Sequence, residues 1–284
     1  MATLNDYLKE ARNGKYAIGH FNFAAADVLK AIVKGSKEAG APCVMVGTSE
    51  GEADFIGMKE AVAMVKAVSN DLQFPVFLNA DHFKSFEKCK EAIDTGYDSI
   101  LIDGSRLSHE DNIAITKKTW DYAKLKSNIS VEGELGYLRG ASEVQRKIEI
   151  SSADYTDPQE AADFVTQTLV DRLAVVSGNI HGIVTEQKEK LDLGHLKKIA
   201  KAAPDVFLVL HGASGLSDGD VSAAIKAGIV NVHYNTELRV AYKEAVDKAL
   251  HEKPSEAAPY KYLAPAAEAV KQLVIQKTTL FMGH

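Results

Sequence analysis

Short apolar runs alternate with stretches of helical spacing along the whole chain. The runs fall at 16–22, 43–49, 75–81, 99–103, 129–135, 173–178, 206–210 and 229–234, lengths typical of strands. Several are apolar throughout, as from Val206 to Leu210, the mark of a strand buried on both faces of a parallel sheet. Between them the spacing changes. Val28, Leu29, Ile32 and Val33 share one helical face, as do Val62, Val65 and Val68. Thr3 and Ser85 are placed as N-caps, and Gly14 and Gly40 as helix stops. Later helices are expected at 110–126, 158–169, 193–202, 217–227 and 236–250, with a last one at about 265–277. Eight strand-then-helix units predict an α/β fold: a (β/α)8 TIM barrel with an N-terminal helix and an extra C-terminal helix. It is expected to be a single domain spanning residues 1–284. A doubly wound open sheet is the alternative, but no Gly-rich turn follows the first run.

The runs end in polar or ionisable residues. Asp81 and His82 close the third, Asp103 the fourth and His211 the seventh, and His181 follows the sixth. A barrel gathers all strand C-termini on one face, where such folds carry their chemistry. His82, His181 and His211 would then converge. Three imidazoles suit a divalent metal, and three histidines with an open position are a common catalytic zinc arrangement. Asp81, beside a ligand, is placed for acid–base work or for orienting substrate. A lone histidine at a strand end is more often a structural hydrogen-bonder; their joint placement favours the metal. The spacings are too long for a local metal motif. His20 reads as a pocket wall or core residue, and no role follows for His109, His195, His251 or His284.

Glu132 and Glu134 alternate on the fifth strand and face the same side. Burying both without a cation is costly, so at least one is expected to serve a metal or a proton transfer. Gly212, Ala213, Ser214 and Gly215 form a small-residue turn after the seventh strand, and Asn235 and Thr236 stand where the eighth meets its helix. Loops seven and eight are the common phosphate site of barrels; equally, such glycines can simply make a turn and Thr236 can simply cap. The connection at 137–158 is unusually long and reads as a lid. It carries Glu143, Arg146, Lys147 and Glu149.

Composition narrows the partners. With 284 residues, 46% of them apolar, the chain can bury a large core. A formal charge of −6 gives no overall basic character for nucleic acid. Two unclustered cysteines, Cys43 and Cys89, suggest a reducing compartment. The chain shows neither a signal-peptide-like start nor a membrane-length apolar run, so a cytoplasmic protein is expected.

At these residues the chain resembles the class II, metal-dependent fructose-bisphosphate and tagatose-bisphosphate aldolase family, nearly end to end. The resemblance rests on Gly19-His20-Phe21-Asn22, Ser49-Glu50-Gly51, Asp81-His82, Asp103-Gly104-Ser105, Glu132-Gly133-Glu134-Leu135-Gly136, His181-Gly182, His211-Gly212-Ala213-Ser214-Gly215 and Asn235-Thr236-Glu237-Leu238-Arg239. It implies zinc on His82, His181 and His211, with Glu134 and Asp103 at a second metal position or its surroundings. It implies that Asp81 exchanges a proton at the C4 oxygen and that Glu143 of the mobile loop handles the C3 proton. Asn22, Ser49, Gly182, Gly212, Ser214, His233, Asn235 and Thr236 fall at substrate or phosphate positions, and Arg239 near a distal phosphate. A second divalent or monovalent cation, a phosphorylated sugar substrate and a homodimer or homotetramer are also implied. No Schiff-base lysine is needed.

Three positions depart from the family pattern. Asn79 stands where a histidine is usual, Val184-Thr185 replace Tyr-Lys, and His233 replaces an asparagine. Lys188 or Lys190 would have to serve for the missing phosphate lysine. The expected reaction is reversible aldol cleavage of a phosphorylated ketose to dihydroxyacetone phosphate and an aldehyde. Alternatives are a tagatose-bisphosphate or other ketose-phosphate aldolase, and a metal-dependent barrel isomerase or hydrolase. A non-catalytic paralogue is disfavoured because Asp81 and all three histidines are present.

Overall fold

The computed structural model describes residues 2–126 and 129–284. Its strands are β1 (Ile18–Asn22), β2 (Val44–Ser49), β3 (Val76–Phe83), β4 (Ser99–Ile102), β5 (Ser130–Leu135), β6 (Gly140–Gln145), β7 (Arg172–Val175), β8 (His181–Val184), β9 (Phe207–Leu210) and β10 (Ile229–His233). Eight of them close a parallel barrel in the order β1-β2-β3-β4-β5-β7-β9-β10, and β6 pairs with β8 in a separate two-stranded sheet. Every expected barrel strand is present, with ends differing by up to three residues.

The helices are α1 (Leu4–Gly14), α2 (Ala26–Glu38), α3 (Glu50–Ile56), α4 (Met58–Leu72), α5 (Phe86–Thr95), α6 (His109–Leu125), α7 (Pro158–Thr168), α8 (Leu193–Ala202), α9 (Asp218–Lys226), α10 (Thr236–Glu252) and α11 (Pro259–Phe281). The Thr3 hydroxyl accepts from the Asp6 N–H to open α1. Leu4, Leu8 and Ala11 then pack on Ile18, Met45 and Val230, so α1 plugs the lower mouth of the barrel. The last helix starts at Pro259, earlier than its spacing suggests, and Pro265 lies inside it. Its buried face, Ala266, Val270, Val274 and Phe281, outweighs the lost backbone bond. Among the described residues, no helix is long and apolar enough to cross a membrane.

Two features were not expected. Helix α3 follows β2 with no intervening loop, because Ser49 both ends the strand and caps the helix. The long connection contains β6 and a short 3-10 turn at Ser152–Asp154. Its strand lies over the upper rim, since Gly140 and Gln145 register with His181 and Val184. Inside the barrel, beneath the upper rim, polar residues are buried: His20, Asn79, Ser99, Glu132, Arg172, Asn231 and His233.

Candidate active site

The upper rim opens into a cavity of about 180 Å³ lined by Asn22, Ser49, Asp81, His82, Ser142, His181, Gly182, His211, Gly212, Ser214, His233, Asn235, Thr236 and Arg239. Asp81 and His82 are consecutive on β3 and would ordinarily face opposite ways. The β3–β4 register shifts between Ala80 and Phe83, and His82 takes φ +53°. That left-handed turn costs a non-glycine residue about 1 kcal/mol or more, and it lets both side chains enter one cavity.

His82 Nε2 lies 3.0 Å from His211 Nδ1. Behind them, His82 Nδ1 is 3.2 Å from Asp103 Oδ2 and 3.0 Å from Glu134 Oε2, while His211 Nε2 is 2.7 Å from Glu132 Oε1. Each imidazole thus turns one nitrogen to a carboxylate and the other to the cavity, the usual support of metal-binding histidines. The His181 ring lies 4.9 Å from that of His82 and 6.4 Å from that of His211. Among the described residues, the groups whose donor atoms come within 4.8 Å of one another are Asp81–His82–His211, His82–Asp103–Glu134, Glu132–His211–His233 and His20–Asp81–His233. None includes His181, so the three histidines share a cavity without their donors meeting as closely as those sets.

Charge is concentrated here. Asp81, Glu132 and Glu134 are buried and Asp103 nearly so, and among the described residues Arg172 is the buried cation that pairs with them, through Glu132. Burial alone would raise the Asp81 carboxyl, but His82 and His233 outweigh it and hold it well below the usual range. Burial opposes charge on His82, yet Glu134, Asp81 and Asp103 hold it well above an ordinary imidazole. Burial and the neighbouring Asp103 raise Glu134. Burial, with His82 and His211, keeps His181 well below, hence neutral. Buried Asp81 Oδ1 and Glu134 Oε2 lack hydrogen-bond partners; the 3.0 Å approach of Glu134 to His82 is off the bonding direction. Unpartnered carboxylate oxygens and cavity-facing imidazole nitrogens fit a divalent cation.

The other half of the cavity is built from backbone and small groups. Gly212 has φ +66°, and a Cβ there would stand 1.9 Å from the Ile180 carbonyl oxygen, so no other residue fits the turn. Asn235 precedes α10 without capping it by its side chain; its Oδ1 accepts from the Asn22 N–H at 2.7 Å. The start of α10 therefore lies at the cavity, where Ser214 and Thr236 line the wall and Ser214 Oγ accepts from the Glu237 N–H at 3.4 Å, and a helix N-terminus is suited to an anion. From the lid, the Ser142 hydroxyl lies 3.1 Å from that of Thr236 and accepts from Arg239 at 2.7 Å. Arg239 also donates to Glu52 at 2.7 Å, and Asn22 Nδ2 donates to both Glu52 and Asp81 at 2.9 Å. Gly182, φ +91°, brings the lid close: a Cβ would stand 2.3 Å from the carbonyl oxygens of Ala141 and Glu143.

Asn22, Ser49, Asp81, His82, His181, Gly182, His211, Gly212, Ser214, His233, Asn235, Thr236 and Arg239 are thus brought together. Asp103 and Glu134 line the adjoining cavity on the far side of His82. Glu143 does not line the main cavity; it is exposed on β6. Lys188 and Lys190 are also exposed and outside it. Glu132 does not wait for a metal, because Arg172 pairs with it. His233 lies between His20 and His211, stacked on the first with ring centroids 3.7 Å apart and tilted by 37° to the second at 3.9 Å. Sequence reasoning missed Ser142 and Glu52, small or polar residues in segments without periodicity, and missed Arg172, just outside the expected sixth strand.

The family model for fructose-bisphosphate aldolase class-II matches residues 2–284. A fructose-bisphosphate aldolase of Staphylococcus aureus (strain Mu50 / ATCC 700699) is 36% identical over 284 residues, covering 99% of this chain and 97% of its own. One from Geobacillus stearothermophilus is 35% identical over 284 residues, covering 99% and 96%. The crystal structure of the YdjI aldolase from Escherichia coli K12 superposes with a TM-score of 0.83 at 31% identity, covering 99% of this chain and 97% of that one.

Proposed function

The chain belongs to the class II fructose-bisphosphate aldolase family, and from that premise we propose a zinc-dependent enzyme holding its ion on His82, His181 and His211. It cleaves a phosphorylated ketose reversibly to dihydroxyacetone phosphate and an aldehyde. Family membership implies a divalent metal. The observation that carries the ligand set is the opposition of His82 Nε2 and His211 Nδ1, each with its other nitrogen on a carboxylate.

When bound, the metal supplies Lewis-acid polarisation of the ketose carbonyl. Asp81, held ionised by His82 and His233, accepts the C4 hydroxyl proton as the C3–C4 bond breaks and returns it in synthesis. Asn22 donates to Asp81 and fixes its rotamer. The N-terminus of α10, Ser214, Thr236 and the backbone at Gly212 bind the C1 phosphate, and Gly182, Ser49 and Asn235 wall the substrate. Arg239 gives up Ser142 or Glu52 to meet a distal anion. We assign the C3 proton to Glu143, which reaches the cavity when β6 swings inward. Asp103 and Glu134 support His82 and offer a position for a second cation. Residues 1–284 are read as one barrel domain, working as a cytoplasmic homodimer or homotetramer.

A second substrate reading rests on two observations. His233 fills the cavity floor between two other imidazoles, and among the described residues no lysine lines the cavity to meet the phosphate. Both favour a ketose phosphate other than fructose 1,6-bisphosphate, with tagatose 1,6-bisphosphate as the nearest candidate. Metal analysis of the purified protein, with a coupled triose-phosphate assay over several ketose bisphosphates, tests both. Strong preference for fructose 1,6-bisphosphate removes the second reading; absence of triose phosphate from every member of the panel removes the first.

A further inference from the structure

Arg172 is wholly buried, on the first position of β7, and its guanidinium is the hub of the polar layer beneath the cavity. It donates to Ser130 Oγ at 3.2 Å, to Glu132 Oε2 and to Asn231 Oδ1 at 3.1 Å. It also donates to Asn79 Oδ1 at 3.2 Å and to Ser99 Oγ. Its partners sit on β3, β4, β5 and β10. Stability alone is a poor reason for this arrangement, since a buried ion pair is often replaced by apolar groups at no loss.

The geometry above the hub points elsewhere. Arg172 takes Glu132 Oε2, leaving Oε1 as the oxygen 2.7 Å from His211 Nε2. A carboxylate only accepts hydrogen bonds, so Nε2 of His211 carries the proton. The Nδ1 lone pair then faces His82 and the cavity. A second arm does similar work. Arg172 holds the Asn79 oxygen, which leaves Asn79 Nδ2 3.2 Å from His20 Nε2, and His20 in turn stacks on His233.

We propose that Arg172 is a positioning residue for the metal centre: acting through Glu132, it fixes His211 in the tautomer that presents Nδ1 to the ion. The proposal rests on the assignment of His211 as a ligand. Ser99, Asn79 and Asn231 hold the planar fork in place, so that one oxygen of Glu132 is committed below and the other above.

The test uses the full chain and two readouts that do not depend on turnover. One is the zinc dissociation constant from chelator competition; the other is the 15N shifts of the His211 ring nitrogens in metal-free protein. Arg172→Met is expected to weaken zinc by about 10- to 100-fold, the usual effect of losing an outer partner of a ligand, and to give mixed His211 tautomers. Arg172→Lys keeps a donor for Glu132 and is expected to stay within about two-fold of the parent, the scatter of independent changes. Arg172→Met combined with Glu132→Gln leaves no lone buried charge. It serves where the single variant fails to fold, with the same expected loss and the same mixed tautomers. Zinc affinity within about two-fold of the parent in both Arg172→Met backgrounds, or unchanged His211 shifts, overturns the proposal. A parent that binds no zinc would defeat the ligand assignment instead, and the metal-free shifts would still test the relay.

Discussion

The two halves of the cavity are held by different means. On the side of β3, β5 and β9, the imidazoles are backed by buried charged groups: Asp103 and Glu134 stand behind His82, and Glu132 and Arg172 behind His211. On the side of β8, β10 and the lid, the surface is glycine, serine, threonine and helix N–H groups, closed by the few bonds Ser142 makes to Thr236 and Arg239. A reacting centre needs donors preorganised before substrate arrives. On the proposed reading the other half has to open and close around an anion, which short side chains and an exposed strand suit.

Substitutions can break this contrast or sharpen it. The largest effect is expected on the rigid side. His211→Ala should remove the ion together with several kcal/mol of transition-state stabilisation, on the order of a thousand-fold in kcat. Metal content and triose-phosphate release, measured on the same preparation, check it, and a variant with full activity would sink the metal site. Asp81→Asn should keep the ion and lose about 10²- to 10⁴-fold in kcat, the usual worth of a positioned acid–base group. Loss of the metal instead would move Asp81 from proton transfer to ligation.

The other two act on the closing side. Glu189 follows β8, its carboxyl packed against Gly215 of the cradle, with both oxygens unpartnered. Burial pushes it from 4.5 up to about 8. Because the fold favours the protonated form, this stabilisation is complete below the unfolded value near pH 4.5. It is lost as pH rises through about 8. Glu189→Gln should therefore match the parent at pH 5 and exceed it at pH 9 by about 2 kcal/mol, roughly half the full shift because the loop relaxes. Denaturant unfolding at the two pH values measures this; parallel pH profiles would refute it. Arg239→Met frees the lid and removes a cation, and is expected to raise KM about ten-fold, or about 1.4 kcal/mol, with little change in kcat. A pure kcat loss would show that closing the lid serves chemistry rather than binding.

The same contrast explains what could be read from the residues alone. Barrel strands were legible because burial on both faces leaves runs such as Phe207–Leu210. The proposed metal side was legible because Asp81, His82 and His211 end such runs on one rim. Arg172 was not, since a charged residue at the foot of a strand has no periodic signature and its partners lie on four other strands. Ser142 was not, because Gly140–Gln145 is exposed and becomes a strand only by pairing with β8. Glu143 reads as a catalytic carboxylate by resemblance, yet its outward position follows from that pairing.

The most direct measurement strips the enzyme of metal with a chelator and titrates zinc back while following triose-phosphate release and bound ion together. The account predicts no cleavage of the ketose bisphosphate without the ion, and a linear rise that levels off at one ion per chain. A stripped protein that cleaves at the untreated rate would contradict it.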